Sequence, residues 1–169
     1  MNPNDIHEIV NLLNLYAFAV DALQWDLFDQ VFTPDVQLDY PNGRWSDLRS
    51  FKEDFAVAHA QLHTTQHMVT NHQVKFAADH ANALSYARAR LVRTAPEAGG
   101  GFFEFGGWYD DILVRTPLGW RIKNRKCRGN WLDGNPTAIS PGVRDNLTTI
   151  RRAAADGAIA YFEAVKGEA

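Results

Sequence analysis

Three of the six histidines in this chain, His63, His67 and His72, fall inside one short stretch, "LHTTQHMVTNHQ" (62 to 73), and His59 lies just before it. His59, His63 and His67 stand at i, i+4 and i+8, which on one continuous helix would form a face of zinc ligands. Thr64, Thr65, Val69 and Thr70 favour a strand instead, so the helical face is expected to break before His67. On a strand, His63, His67 and Asn71 share one side and His72 takes the other. Nothing else in the chain completes a ligand set, and no metal is expected. A lone strand histidine is either a satisfied structural residue or a base. Asp21 is the second group of interest. It lies one turn beyond Ala17, at the border of a helix's core-facing stripe. A carboxylate there needs a partner, because an unpaired buried charge costs several kcal/mol, or else it ends the helix or caps the next one.

The elements that must position these groups can be read from periodicity. In "NPNDIHEIVNLLNLYAFAVD", Asn2 reads as a cap and Pro3 as the first helical residue. Ile6, Val10, Leu13, Ala17 and Val20 then repeat as an apolar stripe. "WDLFDQVF" reads as a short second helix that stops before Pro34. "DVQLDY" alternates as a strand, and Pro41, Asn42 and Gly43 make a turn. "SDLRSFKEDFAVAHAQ" predicts a third helix with Ser46 as cap and Leu48, Phe51, Phe55 and Ala58 inward. From about residue 62 the period becomes two, through "HMVTNHQVKF", "NALSYARARLV", "FFEFGGWYDDILVR" and "GWRIKNRKCRG". Turn signals separate these runs at Ala78-Asp79, Pro96 to Gly101 and Thr116 to Gly119. The tail holds Gly134, Pro136 and Pro141, followed by a predicted helix in "RDNLTTIRRAAADGAIAYFEAVKGEA".

Helices first and long antiparallel strands afterwards predict an α+β fold, with the N-terminal helices packed over a curled antiparallel sheet and a cavity between them. The 169 residues (19.0 kDa) suit one such unit over 1–133, with 134–169 as an extension whose helix packs on it or on a neighbouring subunit. Ten Phe, five Tyr and five Trp supply apolar walls, which suit a small hydrophobic ligand. A net charge of -3 and a pI near 6.0 give no basic field, so nucleic acid is not an expected partner. No apolar run approaches the roughly 20 residues that span a bilayer, and no membrane association is expected. Cys127 is the only cysteine, which excludes an intramolecular disulfide and a thiolate metal cluster. The first residues carry no charged segment followed by an apolar run, and a cytoplasmic location is expected. Trp108, Ile112, Val114, Trp120 and Ile122 exceed what one cavity can use, which predicts a homo-oligomer, dimer or trimer.

Over residues 5 to 133 the sequence resembles the SnoaL-like polyketide cyclases, which share the cone-shaped α+β barrel first named for nuclear transport factor two. Asp21 near the end of the first helix, "LDY" on the first strand, "TQH" on the next, and "GGWYDDILVRTPLGWRIKNR" on the last two carry the resemblance. The nearest similarity in site pattern is to scytalone dehydratase and hexachlorocyclohexane dehydrochlorinase, lyases that use an Asp-His dyad. The resemblance implies Asp21 and His67 as the dyad and Tyr40 of "LDY" as a substrate contact. Elsewhere the chain departs from those enzymes. A second active-site histidine falls near Arg93, a tyrosine becomes Val20, a lysine becomes Tyr16, and polar late-strand residues fall near Gly107 and Tyr109.

In such a dyad the carboxylate fixes the imidazole tautomer and stabilises the imidazolium after a proton is taken, so His67 is the expected base and Asp21 its orienter. A developing oxyanion also needs donors, for which Tyr16, Tyr40, Tyr109 and Arg93 are the candidates. Each has a plainer reading: tyrosines pack, and Arg88, Arg90 and Arg93 line a solvated face. Trp131 reads as a lid contact or as core, and His7, His59 and His80 as surface residues. The expected activity is a cofactor-independent lyase or isomerase acting on a small hydrophobic or aromatic molecule. The alternative is a non-catalytic binding or oligomerisation module like the small subunit of a ring-hydroxylating oxygenase. A limonene-epoxide-type hydrolase would need an Asp-Arg-Asp set, which Asp110, Asp111 and the nearby arginines do not visibly assemble.

Overall fold

In the computed structural model, which describes residues 4–97, 100–135, 143 and 147–167, helix α1 (Asp5–Asp21) buries Ile9, Leu13, Tyr16 and Val20. Those positions follow the i, i+4, i+7, i+11 spacing of one helical face. The stripe is rotated from the expected one: Ile6 is 50% exposed and Val10 half-buried. The helix begins after Asn4, and an Arg115–Asp5 ion pair ties that end to the sheet. Asn2 and Pro3, expected to start it, lie outside the described residues.

A 3₁₀ turn (Trp25–Gln30) leads into β1 (Phe32–Tyr40), followed by β2 (Gly43–Trp45) and α2 (Leu48–His59). The cap of α2 is Asp47 rather than Ser46; its Oδ1 accepts the Ser50 backbone N–H at 2.9 Å. Phe51 and Phe55 of α2 pack against each other with centroids 4.1 Å apart and meet Phe28, Tyr40 and Trp45. Burying each such ring contributes roughly 1.5–3 kcal/mol. This aromatic layer holds the helices over the sheet.

The sheet continues with β3 (Leu62–Phe76), β4 (His80–Glu97), β5 (Gly100–Thr116) and β6 (Gly119–Gly134). Its strand order is β2-β1-β6-β5-β4-β3, curled and unclosed. The α+β architecture is the expected one, but the sheet is mixed, because β1 runs parallel to β6 while every other pair is antiparallel. Bulges interrupt the long strands. Asn71 adopts φ 55°, and the β3–β4 register shifts between Thr70 and Gln73. That extra residue brings His72 to the side of β3 that His67 faces, not the opposite side.

The tail forms two short helices, α3 (Ile150–Ala155) and α4 (Ala160–Lys166), in place of one. Pro136 and Pro141 lie outside the described residues. Ala153 and Ile159 cover Leu84 and Trp108 on the outer face of the sheet, and Trp108 donates to the Thr148 carbonyl at 3.2 Å. Trp108, expected to supply an oligomer face, is fully buried by its own chain, while Ile122 belongs to the main core. No helix among the described residues is long and apolar enough to cross a membrane.

Candidate active site

Asp21 is the last residue of α1 and His67 lies near the middle of β3, so one helix end meets one strand. The Asp21 Oδ1 accepts from His67 Nδ1 at 2.7 Å and from the Thr65 hydroxyl at 2.7 Å. Its Oδ2 accepts the His67 backbone N–H at 2.8 Å. Burial acts to raise the Asp21 pKa, but the bonds from the His67 ring, the His67 backbone and Thr65 outweigh it and leave the carboxyl below its ordinary range. An ionised carboxylate can only accept, so the shared proton sits on Nδ1, and in the neutral ring Nε2 is the nitrogen with the lone pair. His67 lines a cavity of about 230 Å³. A neutral imidazole oriented in this way at a cavity has the geometry that general-base chemistry requires.

Three tyrosines from three elements, Tyr16 of α1, Tyr40 of β1 and Tyr109 of β5, join His67 on the cavity wall. The Tyr40 and Tyr16 hydroxyls are 3.2 Å apart, and Tyr16 also bonds the Tyr109 hydroxyl. Burial raises all three pKa values, those of Tyr40 and Tyr109 well above the ordinary tyrosine range, so each remains a proton-bearing donor at neutral pH. Phe55, Phe103, Phe105, Leu91 and Cys127 complete an apolar lining, and burial pushes the Cys127 thiol up to about 12.

β4 separates its arginines by alternation. Arg93 lines the cavity, whereas Arg88 and Arg90 point outward and pair with Glu104. Trp131 does not line the cavity. A bulge at Asn130 turns it to the outer face of the sheet, where its indole lies over Gly106, is 43% exposed and sits near Arg88. Of the expected contacts, Tyr16, Tyr40, Tyr109 and Arg93 therefore converge with the dyad and Trp131 stands apart.

His59, expected at the surface, is an interior residue. It is 6% exposed, lines the cavity, and donates from Nδ1 to the Phe55 carbonyl at 2.8 Å. Its spacing from Phe51 and Phe55, i+8 and i+4, carries the signal that would have found it, with Ala58 rotated outward. The zinc face does not form, because α2 ends at His59 and His63 is exposed on β3. His72 is a satisfied structural group: Nδ1 accepts from Ser85 at 2.9 Å, and Nε2 donates to Asn14 at 3.2 Å.

Beneath the tyrosines lies a second pair that sequence spacing did not assemble. Arg125 binds Asp111 through Nε and Nη2, both at 2.8 Å, with both side chains fully buried. Its guanidinium carbon lies 4.4 Å from the Tyr16 ring centroid and 4.2 Å from that of Tyr109. Burial opposes the Arg125 charge, but the Asp111 carboxylate holds it protonated. Asp110 faces the other way and accepts the Ala160 and Tyr161 backbone N–H groups at the start of α4. The two carboxylates are thus separated by the sheet, and the Asp-Arg-Asp set of an epoxide hydrolase is not assembled around Arg125.

The profile of the SnoaL-like domain matches residues 3–126. An uncharacterized protein of Mycobacterium tuberculosis (strain ATCC 25618 / H37Rv) is 32% identical over 136 residues, covering 73% of this chain and 86% of that protein. Among solved structures, a candidate scytalone dehydratase of Novosphingobium aromaticivorans superposes with a TM-score of 0.74 at 19% identity, over 88% of this chain and 94% of that one. A type 2 hexachlorocyclohexane dehydrochlorinase gives 0.67 at 18% identity, over 80% of this chain and 92% of that one. At those identities the two structures speak for the fold alone.

Proposed function

The chain belongs to the SnoaL-like domain family, and from that premise we propose that it is a cofactor-independent lyase or isomerase for a small hydrophobic or aromatic molecule. The observation that carries this reading is the 2.7 Å contact between Asp21 and His67 Nδ1, which leaves Nε2 as a base at an aromatic-walled cavity. His67 Nε2 takes a proton from a carbon beside a carbonyl, and the C–H electron pair becomes the new double bond as charge moves to oxygen. The Tyr16 hydroxyl, which accepts from Tyr40, is the donor for that oxygen. Asp21 stabilises the imidazolium. The proton then returns to a second carbon in an isomerisation, or to a departing hydroxyl in a dehydration.

The test needs no knowledge of the natural substrate. Deuterium uptake at the acidic carbon of a cyclic ketone such as 2-tetralone should be accelerated by the wild type. His67→Gln should lose about 10²–10⁴-fold of that acceleration, the usual contribution of a general base. No acceleration over buffer, or exchange that survives His67→Gln, contradicts the proposal. The outer face with its exposed Met68, Tyr86 and Trp131 supports the assembly-module alternative and, on either reading, a homo-oligomer, dimer or trimer. Sedimentation equilibrium checks the oligomer.

A further inference from the structure

Resting on the reading of the cavity as a small-ring site, a second histidine defines what that ring must carry. His59 closes α2, and its ring packs against two aromatic neighbours, 5.0 Å from the Phe55 centroid and 5.3 Å from that of Trp25. Its Nδ1 proton is committed to the Phe55 carbonyl. Its Nε2 makes no hydrogen bond with any described residue, although the side chain is buried and lines the cavity. Burial holds the His59 pKa below the ordinary imidazole value, against the opposing bond to the Phe55 carbonyl, so the ring is neutral near pH 7. A neutral imidazole with a bound Nδ1 proton offers one lone pair and no donor.

We propose that His59 is a specificity-determining residue whose Nε2 accepts a hydrogen bond from an O–H or N–H group on the substrate ring. The cavity then presents two histidine acceptors with different duties. His67 is backed by a carboxylate that stabilises its protonated form, and it removes a proton. His59 is backed by a neutral carbonyl, remains uncharged, and reads a donor. A ring without a donor covers Nε2 and leaves it unpaired, which disfavours its binding.

Binding of 4-ethylphenol and of its methyl ether, 4-ethylanisole, tests this, followed by calorimetry and by ¹⁵N resonances of the histidine rings. The wild type should prefer the phenol by about five- to tenfold, the usual size of one hydrogen bond. The His59 Nε2 resonance should move on adding the phenol and stay put with the ether. His59→Phe, which keeps a ring against Trp25 and Phe55, should shrink the preference to within about twofold, and His59→Gln should keep part of it. A preference undiminished in His59→Phe overturns the proposal. So does a still His59 resonance in the wild type while Phe103 and Phe105 respond, and that measurement stands even where the variant does not fold. In both cases the cavity reading survives. If neither compound disturbs any cavity resonance, the small-ring reading falls and the assignment of His59 falls with it.

Discussion

The Asp21 carboxylate holds His67 at two points, its backbone N–H at 2.8 Å and its ring Nδ1 at 2.7 Å, so one side chain fixes both the strand and the imidazole. Thr65, two residues earlier on the same face of β3, supplies a third bond. Removing this acceptor strands three donors at once. Asp21→Ala should destabilise the protein by about 1–3 kcal/mol in urea unfolding, the range for leaving buried donors unsatisfied. Because the folded Asp21 pKa lies below its unfolded value, this contribution is complete above the unfolded value of about 4 and is lost as pH falls through the folded one. The gap between wild type and Asp21→Ala should therefore narrow in acid.

Arg125 and Asp111 carry opposite charges at 0% exposure beneath the tyrosines. Asp111→Leu leaves the guanidinium charged without its partner and should cost about 3–5 kcal/mol, whereas adding Arg125→Met should recover most of that loss. Denaturant melts of both variants check it. Equal losses in the single and double variants would mean that packing, not charge, dominates here.

Gly107 of β5 lies opposite Gly129 of β6, beside a shift in their register. A Cβ there would lie 2.1 Å from the Arg128 carbonyl oxygen and 2.5 Å from the Phe105 ring. Backbone cannot give way as a flexible side chain can, so Gly107→Ala should lose about 1–3 kcal/mol and disturb the Phe105 side of the cavity. Thermal unfolding and the Phe105 NMR signals report on it.

His59 gives stability a pH dependence of known sign. Its folded pKa is lowered by burial, so the unfolded state binds more protons below about pH 6.5, and folding loses free energy as the solution is acidified. His59→Phe lacks that loss. The stability difference between wild type and variant should fall steadily from pH 7.5 to pH 5, as followed by urea midpoints.

Much of the site was legible because it depends on local spacing. Asp21 ends a helix whose length its apolar repeat reveals, and Tyr40, Tyr109 and Arg93 fall on the inward phase of their strands. The failures occur where a bulge resets that phase. One extra residue at Asn71 moves His72 to the inner side, and another at Asn130 moves Trp131 to the outer one. A period of two carries no mark of either shift. His59 differs for another reason: the inward stripe of α2 ends on this polar residue and not on the apolar Ala58 beside it, which is exposed. The Arg125–Asp111 pair has no sequence signal at all, because it exists only through the β5–β6 register.

The most direct measurement is the ¹⁵N spectrum of the His67 ring at neutral pH, in wild type and in Asp21→Asn. One dominant tautomer is expected in the wild type, with the proton on Nδ1 and Nε2 bare, and that dominance should be lost when the carboxylate becomes an amide. A wild-type ring protonated on Nε2, or a tautomer balance unchanged by Asp21→Asn, would contradict the assignment of His67 as an oriented base.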